Sequence, residues 1–166
     1  MDEPQAGTCP GSGATPRDGE EVDERAADGA RARYRTSGLA PLGPLATDAR
    51  LASLLAPGER VYAVREGVEA ERRPLDHGGP EPASTVGPLL LTSRRIVVVG
   101  DTVIEAALEE IDEAVVSGDQ LLLVLRHGMG LSLTMDRPRL LRVQVAAARI
   151  VTAGRRTGDP GGDVGR

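Results

Sequence analysis

Between Gly87 and Met135 the sequence is a succession of short apolar runs broken by turn-forming steps, and at Asp136 its apolar spacing changes from two to that of a helix. Residues 89–91 and 96–99 flank the step Thr92-Ser93-Arg94-Arg95, residues 102–106 follow Gly100-Asp101, and residues 114–117 and 121–125 flank Gly118-Asp119. Short, β-branched runs bounded in this way read as antiparallel strands rather than helices. In the last of them, after His127-Gly128, Leu131, Leu133 and Met135 alternate with Ser132 and Thr134, so one face is buried and the other wet. Beyond it Asp136 is placed to cap a helix and Pro138 is tolerated in its first turn. Leu140, Val143, Ala147 and Ile150 then form a stripe, widened by Leu141, Val145 and Ala148, which Gly154 is placed to end. No strand alternates with a crossover helix, which argues against a parallel doubly wound sheet.

The rest of the chain sets the domain boundaries. Residues 45–55 read as a short helix, capped by Thr47 or Asp48 and stopped by Pro57-Gly58, with Leu51, Leu54 and Leu55 on one face. Residues 60–64 then alternate as a first strand. From Gly67 to Thr85, charged residues with Pro74, Pro80, Pro82 and Gly78-Gly79 read as a long mobile loop. Residues 1–44 are acidic and rich in Gly, Ala and Pro, with almost no large apolar side chain before Tyr34. Such a segment buries too little to offset its ordering entropy, so a disordered tail is expected there, a domain over 45–153, and a second disordered tail over 154–166. The expected fold is mainly β: seven strands in a bent antiparallel barrel or sandwich, closed by the C-terminal amphipathic helix.

Three segments carry a resemblance to a known family. Leu55-Ala56-Pro57-Gly58-Glu59-Arg60-Val61 leads into the first strand, Gly87-Pro88-Leu89-Leu90-Leu91-Thr92-Ser93-Arg94-Arg95-Ile96-Val97 spans the first hairpin turn, and Ala107-Leu108-Glu109-Glu110-Ile111-Asp112 forms a bend. In order and spacing they resemble the bacterial pleckstrin-homology-like domains, the GRAM-like group included. The resemblance spans the core of the chain and implies a seven-stranded bent antiparallel sheet closed by a C-terminal helix. This closing helix lacks the core Trp of many eukaryotic members, which places the chain nearer the bacterial branch, where the fold implies no phosphoinositide role. The exclusive use of Arg over Lys, with abundant Ala, Gly and Pro, fits a GC-rich, actinobacterial source.

Charge and chemistry bound the function. The formal charge is −5 with no Lys, Trp or Phe, a poor basis for neutralising phosphates, so nucleic-acid binding is not expected. Cys9 lies alone in the N-terminal tail, and no signal peptide or membrane span is evident, so a cytoplasmic location is expected. No nucleophile elbow, zinc spacing or phosphate loop is present; the sequence nominates no catalytic residue, metal ligand or cofactor. His127 falls at a turn, and Glu109, Glu110, Asp112 and Glu113 cluster on a bend as a solvated surface would. The expected function is therefore that of a noncatalytic interaction or scaffold module, acting through a protein partner or self-association. The alternative is a peripheral anionic-lipid or membrane-surface binder using Arg72, Arg73, Arg94 and Arg95 as phosphate ligands. Against it, Arg94 and Arg95 are expected to serve a hairpin turn, and Arg72 and Arg73 share their loop with Glu69, Glu71, Asp76 and Glu81, close to His77.

Overall fold

The computed structural model describes residues 16–37, 42–46, 49–75 and 81–157. In chain order these form helix α1 (Pro16–Ser37), the single turn α2 (Ala49–Ala52), strands β1 (Val61–Pro74), β2 (Ala83–Thr92), β3 (Arg95–Val99), β4 (Val103–Ala107), β5 (Ile111–Ser117), β6 (Gln120–Leu125) and β7 (Met129–Thr134), and helix α3 (Pro138–Thr157). All seven strands belong to one antiparallel sheet in the order β4-β3-β2-β1-β7-β6-β5. The mainly β fold with a C-terminal helix is therefore as expected, but the sheet is not closed into a barrel. The outer strands β4 and β5 have no ladder between them.

β1 gives the sheet its bend. It pairs with β2 from Val61 to Arg72, but with β7 only from Glu69 to Pro74, so the two halves share the second half of β1 and separate along the first. Register shifts at Val61/Ala63 and Arg65/Val68 accompany the bend, and Gly67 takes φ +64°, where a side chain would be strained. At the far corner only residues 108–110 separate β4 from β5. That turn is tied to both halves of the sheet: Leu108 N–H donates to Arg94 O and Arg126 N–H donates to Glu110 O, each at 2.8 Å.

The inward faces supply the core. Leu89, Leu91, Ile96 and Val98 come from the first half, Leu121, Leu123, Leu131 and Leu133 from the second, and Leu141, Val145 and Ala148 from α3. Each fully buried Leu contributes about 2 kcal/mol of hydrophobic stabilisation. Two glycines let backbones approach closely across the β2–β3 region. A Cβ at Gly87 would stand 2.0 Å from Val99 O, and one at Gly100 would stand 2.4 Å from Val86 O.

Four sequence expectations need correction. Residues 16–37 are not disordered: α1 lies against α3, with Asp23, Ala27 and Ala30 buried and Tyr34 half-buried against the core. Those positions share one helical face, and small Ala side chains let the two helices approach closely. Residues 1–15 and 38–41 lie outside the described residues. The loop expected over Gly67 to Thr85 is largely strand, because Val68 and Ala70 are buried while Glu69 between them is exposed, an alternation a strand accommodates. The segment not described between β1 and β2 is 76–80, so His77 and Asp76 lie outside the described residues. The helix expected over 45–55 shrinks to Ala49–Ala52, because Leu45 N–H is held by Val61 O at 2.8 Å, alongside β1. At the other end α3 continues through Gly154 to Thr157, and residues 158–166 lie outside the described residues.

Candidate binding grooves beside the Glu59–Arg95 pair

Pro57-Gly58 turns the chain just before β1, with Gly58 at φ +74°, and delivers Glu59 to the bottom of the β2–β3 hairpin. There its side chain is fully buried. Glu59 Oε2 accepts the Ala56 amide at 2.8 Å, and Oε1 accepts the Thr92 hydroxyl at 2.6 Å and Arg95 Nε at 3.1 Å. Thr92 in turn accepts the Arg94 and Arg95 amides, at 3.1 and 2.9 Å. Burial pushes the Glu59 carboxyl up, and the hydrogen bonds from Arg95, Thr92 and Ala56 together outweigh it, so the group titrates below the ordinary Glu range.

Two grooves flank this network and meet at Glu109 and Thr152. One, of about 680 Å³, is lined by Glu59, Ser93, Arg94, Arg95 and Ala107. The other, of about 780 Å³, runs between α3 and the bend, with Leu108, Ala146 and Ile150 as apolar lining and Arg126, His127 and Arg149 as its basic groups. Thr152 Oγ1 donates at 2.9 Å to Ser93 O, joining α3 to the hairpin where the grooves meet.

The four arginines nominated from sequence do not converge. Arg95 is committed internally: it binds Glu59, reaches Leu54 O at 2.9 Å and pairs with Glu105. Arg94 is exposed, with Nη2 at 3.3 Å from Pro57 O. Arg72 and Arg73 lie in β1 rather than in a loop, and as strand neighbours they point to opposite faces. Arg72 extends toward β4, where Nη1 donates to Glu105 O at 3.3 Å, while its Nε is buried without a hydrogen-bond partner. Arg73 pairs with Glu71 at 3.7 Å on the surface. The structure thus keeps Arg94 beside Arg95, which is spent on Glu59, and brings Arg72 and Arg95 to the same residue, Glu105, while Arg73 stays apart.

Two residues carry interactions that the sequence reading did not single out. Glu59 stood in the Pro-Gly-Glu lead-in, yet nothing in its spacing linked it to Arg95, 36 positions away. Arg65 had no sequence signal beyond its position at the end of an apolar run. It donates to Gln144 Oε1 and to Val64 O, each at 2.8 Å, and its Nε is buried without a partner. Burial lowers its guanidinium pKa, and neighbouring Arg137 adds to the effect. His127, expected at a turn, sits in the three-residue connection Arg126–Gly128 with φ +68°. Among the described residues no three His, Cys, Asp or Glu side chains are grouped to hold a metal ion, and no helix is long and apolar enough to cross a membrane.

No family model matches the chain, and no curated protein matches it. Among solved structures, one similar to it is the crystal structure of the C-terminal domain of an unknown protein from Leishmania infantum. That chain is 14% identical, with a TM-score of 0.39, and the match covers 61% of this chain and 89% of that one.

Proposed function

We propose that this protein is a noncatalytic interaction module of pleckstrin-homology-like architecture, acting through protein contacts or self-association. The observation that carries the reading is apolar surface on the outer side of the first half of the sheet. Val86 is 63% exposed and Val103 55%, and Val103 is paired with half-buried Val99. Thr102 bridges β4 to the start of β2 through Ser84 O at 3.3 Å, so both valines lie at the same end of the sheet. Apolar side chains grouped on a surface otherwise rich in charge are a contact feature. The charged groups at the β2–β3 turn, by contrast, are largely satisfied within the chain, so that region supports a structural role.

The test is sedimentation of the full chain over a concentration series, together with pull-down of partners on the immobilised protein. Self-association of the chain, or saturable capture of a partner that Val86→Asp and Val103→Asp weaken, is expected. A protein that stays monomeric and captures nothing would overturn the reading. The alternative, anionic-lipid binding, retains Arg94 as its most available nominated cation. Flotation with anionic vesicles at low salt, where screening is weakest, distinguishes it.

A further inference from the structure

The two outer strands of the sheet are finished differently. β4 is five residues long, and its Glu105 carbonyl accepts Arg72 Nη1. β5 is seven residues long and, among the described residues, pairs with β6 alone; none of the other backbone hydrogen bonds among them involves 112–117. An unpaired edge presents a row of donors and acceptors to any further strand unless charge, proline or a bulge blunts it. In β5 such features gather at one end, in the register shift between Ile111 and Glu113 and the carboxylates of Asp112 and Glu113. Residues 114–117, Ala-Val-Val-Ser, contain no charge or proline. Val115 is 42% exposed, while Ala114 and Val116 pack against the core from its margin and are half-buried.

We propose that β5 pairs antiparallel with β5 of a second copy about a two-fold axis at Val115, continuing one sheet through a dimer. The inference rests on the self-association form of the proposed function. The bulge leaves residues 113–117 as the regular segment, and Val115 is its centre. Antiparallel pairing about that centre sets Glu113 opposite Ser117 and Ala114 opposite Val116, so no carboxylate faces another, and the cores of the two sheets join. The neighbouring acids are already engaged: Asp112 pairs with Arg126 at 3.0 Å, and Glu110 accepts the Ala107 amide at 3.3 Å. Those engagements leave the acidic bend with less to offer a basic peptide, while the uncharged segment complements its own copy.

A five-residue pairing is a small interface, so dissociation in the micromolar range is expected. Sedimentation of the full chain carrying Cys9→Ser, from about 1 to 200 μM, reads it. Val115→Lys sets two ammonium groups together at the axis and is expected to weaken the dimer at least tenfold. Ser117→Lys sets an ammonium opposite Glu113 and is expected to tighten it several-fold, a gain that Glu113→Gln removes. In the Cys9→Ser background, Val115→Cys is expected to form a disulfide-linked dimer under mild oxidation and Val103→Cys on β4 is not. Unchanged thermal midpoints of the variants show that the fold is intact. A dimer insensitive to Val115→Lys, or one linked through Val103→Cys instead, would overturn the β5 interface and leave self-association standing. A monomer throughout would overturn the inference even if a separate partner is captured. So would a basic peptide that binds the monomer and is lost with Val115→Lys.

Discussion

Asp23 caps α3, the helix that begins at Pro138. Its Oδ2 accepts the Arg139 amide at 2.8 Å and its Oδ1 accepts the Leu140 amide at 3.0 Å, although the residues lie 116 and 117 positions apart. The Arg139 side chain returns the contact, pairing with Glu20 and with Glu24, the latter at 3.0 Å. A cap is ordinarily the residue just before its helix. Here Asp136, the residue the sequence offered, is exposed, and the carboxylate comes from α1.

Removing that carboxylate should therefore loosen α3 from a distance. Asp23→Ala is expected to lower unfolding free energy by about 1 kcal/mol, the ordinary cost of a lost cap, and Asp23→Asn by less. Hydrogen exchange at the Arg139 and Leu140 amides should accelerate selectively in Asp23→Ala.

Glu59 predicts a pH dependence with a defined sign. Its folded pKa is held below the unfolded value of about 4.3, so the stability it contributes is present above that value and is lost as pH falls through the folded pKa. Glu59→Gln is expected to cost about 2 kcal/mol at neutral pH. The gap in urea midpoint between the two proteins should be widest near pH 7 and narrow once pH drops below about 4.

Thr92 separates the hydroxyl from the shape of the turn. Thr92→Val keeps the volume but strips an acceptor from the Arg94 and Arg95 amides and a donor from Glu59. A loss of about 2 kcal/mol is expected, largely restored by Thr92→Ser, as read by denaturant midpoints at constant slope.

Two glycine substitutions should move stability in opposite directions. Gly87→Ala would bring a methyl 2.0 Å from a backbone oxygen, and at least about 2 kcal/mol should be lost. Gly19 lies inside α1 with nothing within 4 Å of a Cβ, so Gly19→Ala should stabilise by about 0.5–1 kcal/mol. Thermal midpoints check both.

The strands from β2 to β7 were legible because short apolar runs are broken by turn-forming steps, and in β7 also because Leu131 and Leu133 alternate with Ser132 and Thr134. α1 was not, although Ala27, Ala30 and Tyr34 are spaced as a helix face. A methyl group adds so little hydrophobicity that the spacing vanished among acids and arginines. The second half of β1 was misread for a related reason: Glu69, Glu71, Arg72 and Arg73 look like a loop when counted, and like a strand only when Val68 and Ala70 are seen between them. The Glu59–Arg95 contact was beyond reach, because local patterning carries no record of which distant residues a bent sheet brings together. Separate motifs named Glu59 and Arg95, and only the fold joined them.

The long separation between Asp23 and Arg139 also has a timing. Synthesis at about 5–20 residues per second delivers α1 on the order of ten seconds before the helix it caps. During that interval α1 has no α3 to lie against. A face built from Ala27, Ala30 and one tyrosine is suited to waiting, since it offers nascent neighbours and chaperones far less to hold than a stripe of leucines would.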